Sequence, residues 1–285
     1  MKKLLALVLA LCMVFALAAC AQKNEPASEP ETETATETET EAQPAEETPA
    51  EEAQQPAEGE AQEETGEEEV IEVEFPEPMT YAEFLAADVD TPVTVETYVQ
   101  GHQSWWDGKV NVYTENEEGG YFLYEMACSE EDAEKLVAGT KLLVNGFKSE
   151  WAGELEIVDA TYTIEDGDTY VAEPVDVTEL LLNPDELENN MNRLVSFKDM
   201  TIEAYDETGA AFAYKDPEGK TDDLYFKASK DGNVYDFCVE FYLTGSDTDV
   251  YKAVEGLNVG DTVDMTGFLY WYNGVNPHIT EVVVK

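Results

Sequence analysis

Alternating apolar and polar positions run through much of residues 76–285, and this period of two predicts a chain built mainly of short β-strands. In the first such segment, Val93, Val95 and Val99 fall on one face. Turn residues separate the segments, so most predicted strands have a clear start and end. In the first half of this region, strands are predicted at 93–100, 109–114, 120–126, 141–151 and 154–164.

Two short stretches in the same half predict helices. Residues 80–87 place Tyr81, Phe84 and Leu85 on one side, as an amphipathic helix does. Ser129 is followed by three acids, which is typical of a helix start: the hydroxyl caps a backbone N–H and acids favour the positive end of the helix dipole. A second helix is therefore predicted from 129 to about 137.

The second half repeats this order of elements. Asn273-Gly274 is the strongest hairpin signal in the chain, and the turn 230–233 is another. Helices are predicted at 177–190 and 246–256, and strands at 194–204, 210–215, 223–228, 234–243, 262–272 and 277–284.

A glycine pattern occurs twice, at a constant offset of 121 residues. It consists of Gly, six residues, Gly-Phe, five residues and Gly, and the alternation around it matches as well. Because the match extends beyond the glycines, it indicates a duplicated domain. The first copy is Gly139, Gly146, Phe147 and Gly153, and the second is Gly260, Gly267, Phe268 and Gly274.

Three strands, a helix and two strands in each copy resemble the oligonucleotide/oligosaccharide-binding (OB) fold, a small five-stranded barrel. The resemblance implies a mainly β chain with two tandem OB-like barrels, each with a helix between strands three and four. It assigns domain 1 to residues 76–170 and domain 2 to residues 171–285. A small β-sandwich is the alternative fold. Such a fold implies a binding module without specifying a chemistry.

The first residues have the features of a targeting segment. Lys2 and Lys3 precede an apolar run over 4–16, which is shorter than the roughly 20 residues of a membrane span. The run leads into Leu-Ala-Ala-Cys, ending at Cys20, which resembles the lipobox of bacterial lipoproteins. The resemblance implies that Cys20 is acylated and anchors an extracytoplasmic protein to the cell membrane. An ordinary cleaved signal peptide with an incidental cysteine is the alternative.

Residues 21–75 differ in composition from the rest of the chain. They contain 20 Glu and one Lys, with almost no large apolar side chain before Val70. Such a segment cannot bury enough surface to offset its ordering entropy, and like charges extend it. We therefore predict a disordered acidic tether.

Negative charge extends into the region predicted to fold. Residues 76–285 contain 12 Lys and Arg against 44 Asp and Glu, and Arg193 is the single arginine of the chain. A nucleic-acid-binding protein normally presents a basic surface that displaces counterions from phosphates. Nucleic acid is therefore disfavoured as a partner.

Aromatic residues concentrate in the loops that the OB resemblance assigns to ligands, namely the loop between strands one and two and the hairpin between strands four and five. They either form a platform on which rings stack, or fill the barrel ends and the contact between copies. The candidate ligand-binding residues are His102, Gln103, Trp105, Trp106 and Trp151 in the first copy and Tyr270, Trp271 and Tyr272 in the second.

Motifs for catalysis or tight metal binding are lacking in the sequence. The acidic turns 166–168, 216–218 and 247–249 lack the spacing of a calcium-binding helix–loop–helix, so no cofactor is expected, although loose Ca²⁺ binding remains compatible with them. For Cys128 and Cys238, two buried free thiols are favoured over a disulfide.

These features together predict a protein that is not an enzyme. The first hypothesis is a cell-surface binding module for a glycan or a wall-derived peptide. The second is a structural lipoprotein that binds a surface protein, and the third is a secreted hydrolase or nuclease.

Overall fold

The computed structural model describes residues 73–216 and 222–285. The predicted Cys20 anchor and nearly all of the predicted tether lie outside the described residues. Within the described ranges, none of the helices combines the length and apolarity needed to cross a bilayer.

The first half of the described chain forms a closed five-stranded barrel preceded by a short helix. Its elements are α1 (Tyr81–Ala86), β1 (Pro92–His102), β2 (Lys109–Glu115), β3 (Gly120–Ala127), α2 (Glu130–Ala133), β4 (Lys141–Trp151) and β5 (Glu154–Glu165). The order around the barrel is β1-β2-β3-β5-β4, and β4 pairs back onto β1. The β3–β5 pair is parallel and the other pairs are antiparallel.

The second half forms another five-stranded barrel with two additional short strands. Its elements are β6 (Val175–Asp176), a 3₁₀ turn (Thr178–Leu182), α3 (Pro184–Leu187), a second 3₁₀ turn (Glu188–Asn190), β7 (Leu194–Glu203), β8 (Phe212–Tyr214), β9 (Leu224–Lys230), β10 (Asn233–Val239), α4 (Phe241–Thr244), α5 (Asp249–Glu255), β11 (Thr262–Phe268) and β12 (His278–Val284). The ring β7-β9-β10-β12-β11 closes because β9 also pairs with β7.

Both barrels therefore have the strand order of the OB fold, with helix between strands three and four, and this prediction is confirmed. The sandwich alternative is wrong because each sheet closes on itself. The domain limits at 76–170 and 171–285 stay a prediction.

One strand assignment in the second barrel is corrected. The sequence predicts strand two at 210–215, but strand two of the barrel is β9, and Phe212–Tyr214 is the additional strand β8. β7 pairs only with the end of β9 near Ser229, and β8 pairs with the remainder around Phe226. The partly buried side chains of Phe212 and Tyr214 pack on the core, so β8 has the same apolar alternation as a barrel strand.

The predicted helix starts in the first barrel are confirmed by their caps. Thr80 Oγ1 accepts a hydrogen bond from the Glu83 N–H at 3.3 Å, and the Glu83 carboxylate accepts the Thr80 N–H at 2.8 Å. Ser129 Oγ accepts the Asp132 N–H at 3.1 Å. α2 ends earlier than the predicted 137, because the chain tightens into three-residue turns that lead to Gly139.

The repeated glycines have equivalent structural roles. Gly139 (φ +90°) and Gly260 (φ +94°) precede strand four, and each donates its N–H at 2.8 Å to strand one, to Val99 and Ile202 respectively. Positive φ at these positions favours glycine. The shared local geometry explains why the pattern is detectable in the sequence.

Each barrel has its own apolar core, and a third cluster lies between them. The core of the first barrel includes Val95, Leu123 and Leu142. The core of the second barrel includes Phe197, Phe226 and Phe237. The third cluster is separate from both cores and positions the candidate site.

Candidate ligand-binding site at the contact between the barrels

Two aromatic side chains on the outer surface of the first barrel are buried. Val112 and Leu123 point into the barrel core, so their strand neighbours Tyr113 and Phe122 point outward. Yet Tyr113 is 0% exposed and Phe122 is 2% exposed. Phe268 of the second barrel lies in the same cluster, and its ring is stacked on Tyr113 with centroids 4.2 Å apart.

The second barrel thus covers the part of the first barrel where OB-fold proteins hold ligands. In this fold the ligand lies across strands two and three, which are β2 and β3 here. We call the contact between the two barrels the junction. Its apolar side chains are Tyr113, Phe122, Leu194, Leu243, Phe268 and Tyr270.

An ion pair crosses the junction. Glu115 has a fully buried side chain, and it accepts hydrogen bonds from Arg193 Nε and the Leu194 N–H, both at 2.8 Å. Burial raises the pKa of Glu115, and the two donors oppose that shift. Gly120 lies close by, and a Cβ at this position would collide with the backbone of Asn192. The only arginine of the chain is therefore committed to holding the barrels together.

A buried tyrosine–histidine pair also spans the junction. Tyr113 Oη and His278 Nδ1 are 2.8 Å apart. Burial lowers the pKa of His278 to about 4 and raises that of Tyr113. Both groups are therefore neutral at pH 7, and their hydrogen bond satisfies two buried polar atoms.

Two further carboxyl groups are buried beside this pair. Glu154 is 0% exposed, and its Oε2 accepts the Trp271 N–H of the second barrel at 2.7 Å. Burial raises the pKa of Glu154 to about 8 and that of Glu156 to about 7. The junction is thus a place where carboxyl groups hold protons near neutral pH.

Four of the predicted ligand-binding residues lie where the strand four–five hairpins of the two barrels meet. Asn273 N–H donates to Ala152 O at 2.7 Å and joins the two hairpin tips. Trp151 and Tyr272 face each other with centroids 5.1 Å apart, and they are 54% and 49% exposed. The tips therefore present one aromatic pair drawn from both copies.

The other two of these four are less accessible. Tyr270 is stacked on His278 with centroids 4.4 Å apart. Trp271 packs against the core of the second barrel. These two side chains contribute to packing at the junction.

The remaining four predicted residues lie in the loop between β1 and β2 and on the end of β1. His102 Nδ1 is 2.7 Å from Gln103 O, and Gln103 Oε1 accepts from Asn111 Nδ2 at 2.7 Å. Trp105 Nε1 donates to Cys128 O at 2.8 Å. Trp106 is 68% exposed, more than the other tryptophans.

The structure separates the predicted residues into two groups. The loop group adjoins the Ala127 end of β3, since Lys109 pairs with Ala127. The hairpin group adjoins the Gly120 end, since Glu156 pairs with Phe122. β3 has 8 residues, so the groups are about 25 Å apart along the strand. A single small ligand cannot contact both groups.

A pocket of about 290 Å³ opens beside the loop group. Gln103, Trp106 and Asn111 line it from the first barrel, and Tyr242 lines it from the second. Tyr242 O accepts the Ser104 N–H at 2.7 Å, which fixes the second barrel against the loop. Indole, phenol and amide groups thus converge on one concave site, a combination typical of small-ligand pockets.

Sequence reasoning missed the residues that the second barrel contributes to this pocket and to the junction. Tyr242 comes just after strand β10. It lies more than 130 residues along the chain from the loop that it contacts, so no local pattern predicts the contact. Tyr113 and Phe122 did carry a signal: residues 121–124 are an unbroken apolar run, typical of a strand covered on both faces.

The remaining candidates for chemistry give no reactive site. Within 73–216 and 222–285, no three His, Cys, Asp or Glu side chains are grouped so as to hold a metal ion. Cys128 and Cys238 are buried free thiols, as the sequence favours. Cys128 Sγ lies 3.2 Å from Tyr162 Oη beside an open depression of about 730 Å³, but burial raises the pKa of its thiol, which is the opposite of activation.

No protein-family model and no curated protein matches this chain. Similar solved structures include a murine DNA-binding protein bound with double-stranded DNA, at 8% identity and a TM-score of 0.35, covering 67% of this chain and 96% of that one. Another is the Ifi202 HINa domain with 20-base-pair double-stranded DNA, at 12% identity and a TM-score of 0.30, covering 69% and 96%. A replication protein A heterotrimer bound to single-stranded DNA has 8% identity and a TM-score of 0.24, covering 75% and 70%. At these identities the similarity concerns the fold alone.

These comparisons correct one prediction. Charge led to the expectation that nucleic acid is disfavoured as a partner, whereas all three of these similar structures contain DNA. Net charge describes the whole surface, but a ligand is held by a local arrangement of side chains. Total charge is therefore not a sufficient reason to exclude this class of partner.

Proposed function

We propose that this chain is a non-catalytic binding module, anchored to the cell membrane through an acylated Cys20 and carried on an acidic tether. The anchor rests on the lipobox-like sequence at residues 17–20. The binding role is supported by two OB barrels that meet beside a pocket lined by residues of both.

The observation that carries the ligand assignment is the pocket shared by both barrels. Trp106 offers an exposed indole face. Beside it, the Gln103 and Asn111 amides are hydrogen-bonded to each other, and each has a further N–H that a ligand can engage. Lys109 and Glu125 add an ion pair at the rim. Such a pocket suits an uncharged polar ring, and we assign it to one sugar unit of a surface glycan.

The test is a titration of intrinsic tryptophan fluorescence with glycans, wall fragments, and single- and double-stranded DNA. We expect a saturable response to one glycan class, and Trp106→Ala should weaken that binding at least tenfold. Trp151→Ala is the matched control, because Trp151 is similarly exposed but lies at the other end of β3.

The outcomes are distinct. A response to DNA alone would retain the binding module and replace the glycan as its ligand. Equal affinity of Trp106→Ala and the unmodified protein would remove the pocket from the proposal. For the anchor, Cys20→Ser should abolish incorporation of labelled fatty acid and release the protein from membranes, and continued membrane retention would contradict it.

A further inference from the structure

Two buried acceptor atoms at the junction lack donors. Among the described residues, neither Glu154 Oε1 nor Asn192 Oδ1 has a hydrogen-bond partner. The two side chains are neighbours that meet from opposite barrels, since Glu154 begins β5 and Asn192 precedes β7. Unpaired buried acceptors are costly, so this contact calls for a donor.

A proton on Glu154 supplies that donor. An ionised carboxylate only accepts hydrogen bonds, whereas a protonated carboxyl has one O–H to donate. Oε2 is already occupied by the Trp271 N–H at 2.7 Å. The proton therefore belongs on Oε1, the oxygen without a partner, beside the Asn192 side chain.

The groups that lower the pKa of Glu154, and so oppose the effect of burial, are the Asn192 side chain and the Trp271 N–H, and neither carries a charge. The titratable groups that face it are Glu156 on its own strand, Tyr81 from α1, Tyr113 from β2 and Tyr270 from the second barrel. Arg193, the cation of the junction, is engaged by Glu115 and is not among the groups that shift the pKa of Glu154. Ionisation would thus place a buried, uncompensated charge between the barrels.

We propose that the proton on Glu154 is a latch: when bound, it holds the second barrel over the β2–β3 face of the first, and when released, it lets the barrels separate. The face that would be uncovered contains Tyr113 and Phe122. The latch makes access to this face depend on pH.

Linkage gives the direction of the pH dependence. The folded pKa of Glu154, about 8, lies above the ordinary carboxyl value of 4.5. Its contribution to junction stability is fully present below about pH 4.5 and is lost as the pH rises through about 8. His278, with its pKa of about 4, acts oppositely and only at acidic pH. Separation is therefore expected on the alkaline side.

The latch also bears on the pocket beside Trp106, because Tyr242 of the second barrel forms one of its walls. Separation of the barrels would remove that wall. This consequence for ligand binding rests on the proposed function, whereas the latch itself does not.

The test is hydrogen–deuterium exchange of the full chain at pH 6 and pH 9, without ligand, read in peptides that cover 190–194 and 268–274. In the Glu154→Gln variant the amide keeps a donor at every pH. At pH 9 we expect at least tenfold faster exchange in the unmodified protein than in Glu154→Gln, and a clearly smaller difference at pH 6, where most of the folded protein still has Glu154 protonated. Glu150→Gln, an exposed change on the same hairpin, should behave like the unmodified protein.

Equal exchange of the unmodified protein and Glu154→Gln at both pH values would overturn the latch. A second measurement needs no variant: the carboxyl carbon of Glu154 should titrate near pH 8 by NMR, and a midpoint near 4.5 would overturn the latch as well. Because neither readout uses a ligand, a failure of the latch and a failure of the glycan assignment are distinguishable.

Discussion

The outer faces of strands two and three differ between the two barrels. In the first barrel their outer side chains include Tyr113 and Phe122, which are buried against the other barrel. In the second barrel the equivalent strands β9 and β10 turn Lys227, Val234 and Asp236 outward, and Val234 is 53% exposed. The first barrel uses this face for packing against its neighbour. The second barrel leaves Val234 and Asp236 on this face to solvent, although Cys238 on the same strand is 2% exposed.

The two barrels therefore resemble each other on their inner faces and differ on their outer faces. The core positions of both copies follow the same alternation, because barrel closure demands it. Outer positions are free of that demand, so the side chains there can differ between the two barrels.

The test with the largest expected effect introduces a charge on the outer face of strand three in each barrel. Phe122→Asp should lower the free energy of unfolding by about 5 kcal/mol, because it removes a buried ring and buries an unpaired charge. Val234→Asp, on the exposed face of the second barrel, should change it by less than about 0.5 kcal/mol. Chemical denaturation of both variants checks this, and similar losses would show that the two faces are equally buried in solution.

A smaller difference in stability is expected between substitutions at the two phenylalanines of the glycine pattern. Phe268 is 3% exposed at the junction, whereas its equivalent Phe147 is only partly buried and contacts Phe75 edge-on at 5.8 Å. Phe268→Ala should cost about 3 kcal/mol, and Phe147→Ala clearly less, because less packing is lost. Thermal melts of the two variants give the ranking, and the reverse order would argue against a tightly packed junction.

The smallest effect concerns the two hairpin glycines. Gly153 has φ +90°, and a Cβ there would lie 3.0 Å from Trp271 Cδ1. Gly274 also has positive φ, but a Cβ there would meet nothing within 4 Å. Gly274→Ala should cost about 1 kcal/mol from backbone strain, and Gly153→Ala somewhat more. Equal costs by denaturation would mean that Gly153 and Trp271 are not in close contact in solution.

Much of each barrel was predictable because its determinants are local. Strand alternation, the Thr80 and Ser129 caps, and glycines at positive φ all act within a few residues. β8 was misassigned because Phe212 and Tyr214 pack on the core and so alternate like a barrel strand. The position of the strand was correct, but its pairing partner was not, because the local sequence pattern does not specify which strands pair.

The junction was not predictable in the same way. The junction depends on contacts between positions far apart in sequence, such as Tyr113 with Phe268 and Glu115 with Arg193. The sequence around one residue of such a pair gives no information about the other. The predicted aromatics lie in or directly beside the expected loops, but their division into two groups about 25 Å apart follows from strand pairing along β3, which local pattern does not specify. Their role in ligand binding stays a prediction.

The connection between the barrels has a consequence for how they associate. Only residues 166–174 separate β5 from β6. A short connection keeps the two surfaces at an effective concentration in the millimolar range, so the junction need not be a high-affinity interface. Cutting this connection would turn a first-order encounter into a second-order one, and the two pieces would remain paired only at high protein concentration.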